Sequence, residues 1–286
     1  MIAAGTRPTP RVSRIAPTFA ALRQERRTGL VTYVTAGDPD LDRSRDILLA
    51  LDRAGADVLE VGVPFSDPLA DGPVIQRATE RALAAGATLG RVLDLVASVR
   101  ADIAAPIVIF TYANPIERMG LAAFTARAAA AGVDGVLTLD LPVEEAGVMR
   151  DRLGEAGLDT IFLLSPTTTT ERIRRAAALG SGFLYGISRL GVTGARTTLA
   201  SGAEALVARI RPETTLPIAV GFGISHPAHV AEIGRWADAA VVGSALVAVI
   251  AQHGASPALV SSVMSYVQWL KGEGRPSPIG PGEPAS

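Results

Sequence analysis

The 286-residue chain carries 27 basic and 28 acidic residues, 48% hydrophobic residues and no cysteine. This balance offers no field to hold a polyanion or an anionic membrane, and it excludes disulfide and thiolate chemistry; the apolar share suffices for a large core. Lys271 is the only lysine, and His226, His229 and His253 are the only histidines. A core Schiff-base lysine, a pyridoxal-phosphate lysine, a P-loop lysine and an ordinary zinc or iron site are therefore not to be expected. Any catalysis must use carboxylates, hydroxyls and backbone dipoles.

Met1–Arg11 has no apolar stretch of signal-peptide type, and residues 1–13 are expected to be flexible. Arg14–Arg27 reads as a helix placed to cap a barrel floor. Eight apolar runs follow as candidate strands: Leu30–Ala36, Val58–Val63, Ile107–Tyr112, Asp134–Leu141, Thr160–Leu164, Phe183–Ser188, Pro217–Phe222 and Ala239–Val242. They are apolar throughout rather than alternating, as in a parallel sheet buried on both faces. Their starts recur about every 30 residues, the length of a βα unit. The long interval from Val58 to Ile107 must hold an extra loop or helix. Helical spacing marks Asp40–Arg53, Pro142–Leu153 and Glu171–Leu179, with Gly154 and Gly180 as C-terminal stops, and Pro257–Lys271 as the last helix. Ala239–Ala251 is apolar but only 13 residues long, against about 20 for a membrane span, so a soluble, cytoplasmic protein is expected. Gly272–Ser286, with four prolines and four glycines, reads as a disordered tail. The chain thus reads as a single α/β domain over residues 14–271, a (β/α)8 TIM barrel with an extra N-terminal helix and an insertion after strand two. An open doubly wound sheet fits less well, because Thr35-Ala-Gly-Asp-Pro39 is not a dinucleotide-binding glycine loop.

Functional groups of such a barrel lie at the C-terminal ends of its strands. Three glycine turns fall there: Gly191–Gly194 after strand six, Gly221–Ser225 after strand seven, and Gly243-Ser244 opening a helix after strand eight. Glycine lets backbone amides approach an anion, and a helix N-terminus adds its dipole. One such turn alone would be only a tight turn; three in adjacent loops point to a phosphate site. In Val58–Val63, Glu60 stands within an otherwise apolar strand, and no candidate strand supplies an arginine to pair with it. Burial raises a carboxyl pKa towards neutrality, the state wanted of a general acid or base. Asp67 and Asp71 follow in a proline-rich loop that could fold over the same pocket, although either alone fits a turn residue. His226 and His229 have helical spacing but no third ligand, and Trp236 and Trp269 read as packing positions.

The segment Leu59-Glu-Val-Gly-Val-Pro-Phe-Ser-Asp-Pro-Leu-Ala-Asp-Gly-Pro73 resembles the signature of the tryptophan synthase alpha chain family. Thr35–Pro39, Tyr112-Ala-Asn-Pro115, Asp140-Leu-Pro142, Gly191–Gly194, Gly221–Ser225 and Gly243-Ser244 join it in the family's order, over roughly Arg14–Lys271. The resemblance implies a TIM barrel that cleaves indole-3-glycerol phosphate to indole and glyceraldehyde 3-phosphate without metal or organic cofactor. It implies Glu60 for the two proton transfers and Asp71 for the indole N–H. Gly194, Gly223, Gly243 and Ser244 would hold the phosphate. Tyr33, Phe110, Tyr112, Leu137, Tyr185 and Phe222 would line the indole pocket, with Thr193 closing on the loop of Asp71. Asp67 matches a contact with a beta subunit, which would carry the pyridoxal phosphate of an alpha2-beta2 complex. Tyr33 and Phe110 depart from relatives with Phe and a smaller aliphatic residue there. The competing readings are a free-standing lyase, an inactive activator of a beta subunit and, more distantly, a sugar-phosphate isomerase. The activator is opposed by the presence of both Glu60 and Asp71. The Asp71 loop has few apolar residues to hold it closed, so the chain alone is expected to be weakly active.

Overall fold

The computed structural model describes residues 12–187, 197–221 and 223–273, without side chains at 197–201. Eight parallel strands close into one barrel in chain order: β1 Gly29–Thr35, β2 Val58–Gly62, β3 Ile107–Thr111, β4 Gly135–Thr138, β5 Asp159–Leu164, β6 Leu184–Ile187, β7 Ile218–Gly221 and β8 Ala239–Val242. Closure is made by Gly29–Thr32 of β1 against Ala239–Val242 of β8. The helices are α1 Ile15–Gln24, α2 Leu41–Arg53, α3 Pro73–Ala84, α4 Leu89–Val99, α5 Ala113–Met119, α6 Leu121–Ala131, α7 Gly147–Glu155, α8 Thr170–Leu179, α9 Thr197–Ile210, α10 Pro227–Ile233, α11 Ser244–His253 and α12 Leu259–Leu270. The interval after β2 holds α3 and α4, the insertion the sequence requires. No single helix among the described residues is long and apolar enough to cross a membrane.

Strand periodicity divides the core in two. Leu59, Val61, Ile107 and Ile109 face outward into the layer beneath the helices, whereas Val31, Val58, Val108, Leu137, Ile161, Phe183 and Tyr185 fill the barrel. Ile15, Phe19 and Leu22 of α1 plug the barrel floor, as its position in the sequence suggests. Beside them Asp134, fully buried, accepts the Arg14 N–H at 3.1 Å and the Ile107 N–H at 2.9 Å, with Arg100 Nη1 at 3.4 Å. This carboxylate ties helix, loop and strand together at the closed end.

The first helix ends at Gln24, three residues before the expected Arg27, and the larger departures from the sequence reading lie in the fourth βα unit. The fourth strand ends at Thr138, not Leu141: Leu139 still donates to Thr111 O, but Asp140 turns to accept the Ala113 N–H at 2.7 Å at the head of α5. The helix expected from Pro142 begins at Gly147, because Glu145 N–H bonds back only three residues to Pro142 O, in a turn. Gly154 lies inside that helix; its stop is Gly157, at φ 72°, with Leu158 N–H closing on Leu153 O. Gly180 caps α8 as expected.

Candidate active site

Because β2 alternates, the position two residues above Val58 also points into the barrel, and it is Glu60. It stands in register with Tyr33 on one side and Val108 on the other. Glu60 is 0% exposed, and neither carboxylate oxygen has a hydrogen-bond partner among the described residues. Burial alone pushes its pKa up to about 8. At neutral pH this side chain is a protonated acid in an apolar chamber.

Aromatic residues wall that chamber. The rings of Tyr33 and Phe110 meet edge to face at 5.1 Å, and the Tyr33 hydroxyl lies 3.4 Å from Thr35 Oγ1. Gly62 makes room for it: a Cβ there would collide with the Tyr33 hydroxyl. Tyr185 repeats the device across the barrel, with its hydroxyl over Gly221. Burial raises both phenols; Asp71 and then Glu60 raise Tyr33 further, and Glu60 raises Tyr185. Leu137 is fully buried among these interior residues.

Asp71 stands on the loop between β2 and α3. Its Oδ2 accepts the Tyr112 hydroxyl at 3.0 Å, and the same hydroxyl accepts the Ala70 N–H at 3.1 Å. Phe65 packs on the Tyr112 ring at 5.1 Å, and Gln76 Nε2 donates to Asp71 O at 3.0 Å. Burial raises the Asp71 carboxyl and the Tyr112 bond lowers it. The sequence reading expects a loop with little to hold it; Tyr112 and Gln76 tether it. Tyr112 figures there only as pocket lining. Its place two residues above Phe110 on the neighbouring strand end could have marked it as the loop's anchor. Asp67 and Leu69, on the same loop, face solvent, Leu69 at 91% exposure.

At the other side of the mouth, β7 and β8 are paired neighbours, so the turns that follow them lie together. Gly223 adopts φ +52°, a conformation costly for other residues. Gly243 is the N-cap of α11, Ser244 is its first residue, and a Cβ on Gly243 would touch Tyr33 Cβ at 3.6 Å. The glycine turns thus abut the aromatic wall. Gly194, Thr193 and Phe222 lie outside the described residues.

A deep neutral acid, a carboxylate above it, aromatic walls and paired glycine turns form one mouth at the C-terminal end of the barrel. The sequence model of the tryptophan synthase alpha chain family matches residues 19–271. The chain is 52% identical to the tryptophan synthase alpha chain of Geotalea daltonii over 236 residues, covering 82% of this chain and 89% of that one. It is 48% identical to that of Solibacter usitatus over 260 residues, 91% of this chain and 97% of the relative. Among solved structures, tryptophan synthase subunit alpha from Legionella pneumophila superposes with TM-score 0.84 at 35% identity, over 92% of this chain and 98% of that chain. Mycobacterium tuberculosis tryptophan synthase gives TM-score 0.84 at 37% identity, with the same coverage. The chain belongs to the tryptophan synthase alpha chain family, lyase subunits of tryptophan biosynthesis.

Proposed function

We propose that residues 14–271 form the catalytic domain and cleave indole-3-glycerol phosphate by a retro-aldol reaction in which Glu60 and Asp71 carry the chemistry. Glu60, neutral at the start, donates its proton to indole C3. The resulting carboxylate then takes the proton of the C3′ hydroxyl as the C3–C3′ bond breaks. The bond's electron pair returns to the indole ring, glyceraldehyde 3-phosphate leaves as the aldehyde, and Glu60 ends protonated as it began. Asp71, ionised at the mouth, offsets positive charge developing at the indole N–H. The Gly223 and Gly243-Ser244 turns, with Gly194, hold the phosphate. Tyr33, Phe110, Tyr112, Leu137, Tyr185 and Phe222 hold the indole, and Thr193 closes over it.

The observation that carries this reading is the fully buried Glu60, with both oxygens unpartnered among the described residues. Such a group costs stability, and its position facing aromatic walls supports a catalytic use. The reading needs neither metal nor imine. In support, Lys271, the only lysine, lies past α12 with Nζ donating to Gly55 O at 2.7 Å, before β2 begins and so at the opposite end of the barrel. Pyridoxal phosphate belongs on this reading to a cytoplasmic beta-subunit partner, docked at Asp67 and the bare Leu69. The Tyr112 tether favours a measurable rate for the chain alone, which added beta subunit raises.

Glu60→Gln is expected to lower indole release by about 10²–10⁴ while the protein still folds and binds glycerol 3-phosphate. A folded Gln variant with near-normal turnover would remove Glu60 from the reaction. Asp71→Asn should lose turnover more than it loses binding of that unreactive phosphate; equal losses would mean that Asp71 only positions substrate.

A further inference from the structure

The Gly223–Ser225 turn is gripped from behind by side chains that the chemistry above does not use. We propose that Tyr266, on α12 outside the barrel, is a positioning residue for the substrate's phosphate, fixing this turn through the carbonyl of Ser225.

The Tyr266 hydroxyl donates to Ser225 O at 3.1 Å, while the Ser225 N–H donates to His229 Nδ1 at 3.3 Å. Both backbone groups of the turn's last residue are therefore held by side chains. Ile224 anchors the middle of the turn at 2% exposure, and Gly223 reverses the chain. Among the described residues, the amides of Gly223 and Ile224 have no backbone acceptor, so nothing in the backbone competes with an anion for them. A turn whose own amides make no backbone hydrogen bond is not braced by them. The bracing comes from α12, whose Val263, Tyr266, Val267 and Leu270 are all buried. Burial raises the Tyr266 phenol, so it stays a neutral donor throughout the working pH range. One helical turn further on, Trp269 meets the His226 ring edge-on at 4.9 Å, directly after the turn. An aromatic reporter is thereby built against the same loop.

The inference rests on the phosphate reading of the glycine turns, and the test separates the two. Glycerol 3-phosphate binding is measured by inhibition of indole release and by Trp269 emission in a Trp236→Phe background. Ser244→Ala probes the phosphate reading. Tyr266→Phe probes the brace, and is expected to weaken glycerol 3-phosphate and raise KM by about three- to tenfold, the worth of one hydrogen bond, with kcat unchanged. Its Trp269 response should saturate at correspondingly higher ligand concentration. A merely structural Tyr266 would lower the melting temperature and leave that affinity alone. If Ser244→Ala weakens binding and Tyr266→Phe does not, the brace is wrong and the phosphate reading stands. If the wild-type chain does not bind glycerol 3-phosphate, both fall. Should Tyr266→Phe fail to fold, an unresponsive Trp269 at saturating ligand in the Trp236→Phe chain overturns the brace.

Discussion

Glu60 and Asp134 are both 0% exposed, yet the barrel treats them in opposite ways. At the floor, Asp134 is met by two backbone amides and by the guanidinium groups of Arg14 and Arg100. In the chamber above, no group among the described residues bonds to Glu60. The first is a charge whose desolvation is offset by its partners, and it holds α1, β3 and the start of β4 in place. The second avoids the cost of a buried charge only by keeping its proton. One end of the barrel spends carboxylate chemistry on structure, and the other holds it ready for a substrate.

Substitution should pull these two residues apart. Glu60→Gln, with the loss of turnover stated above, is expected to leave the folded state more stable than the wild type. The sign follows from linkage: the folded pKa of about 8 lies above the ordinary glutamate value of 4.5. The unfolded chain is already ionised between those values, so wild-type stability falls as pH rises from about 4.5 to 8. The Gln variant lacks that slope. At pH 8 it should melt several degrees higher, at about 2–4 °C per kcal/mol for a chain of this size. Asp134→Asn should do the reverse, costing about 1–3 kcal/mol of stability, because the amide NH2 cannot accept one of the two backbone N–H bonds that the carboxylate takes, while the folded fraction keeps its kcat. Denaturant melts and indole release on the same samples check both, and parallel behaviour of the two variants would break the contrast.

A smaller effect sharpens the upper end. Tyr112→Phe removes the hydroxyl that holds both Asp71 and the Ala70 amide. A hydrogen bond to a charged group predicts a loss of about tenfold or more in kcat/KM. Tyr112 lowers the Asp71 pKa, so without it the acid limb of the pH profile should move to higher pH. An unmoved limb would show that Tyr112 acts on the loop alone.

The barrel was legible because its strands are buried on both faces and so read as unbroken apolar runs. Glu60 was legible for the same reason, as a carboxylate interrupting such a run. What escaped was set by contacts distant in sequence. Nothing around Pro142 announces that Asp140 turns away to accept the Ala113 N–H, or that a turn closed by Glu145 N–H on Pro142 O delays the start of α7 to Gly147. The anchoring of Asp71 by Tyr112 joins residues 41 positions apart. Asp134 looked like the first residue of a strand, and only the fold brings Arg14, 120 positions away, to its side. The brace of Ser225 by Tyr266 likewise needs the last helix to be docked first.

Everything proposed for the chamber requires that Glu60 rests protonated inside the barrel. Titration of its side-chain carboxyl by carbon NMR, assigned by the signal that disappears in Glu60→Gln, tests that claim without reference to any substrate. A neutral carboxyl at pH 7 with a midpoint near 8 is the expected result. A midpoint in the ordinary range, near 4.5, would show that the chamber does not hold the proton and would contradict the account.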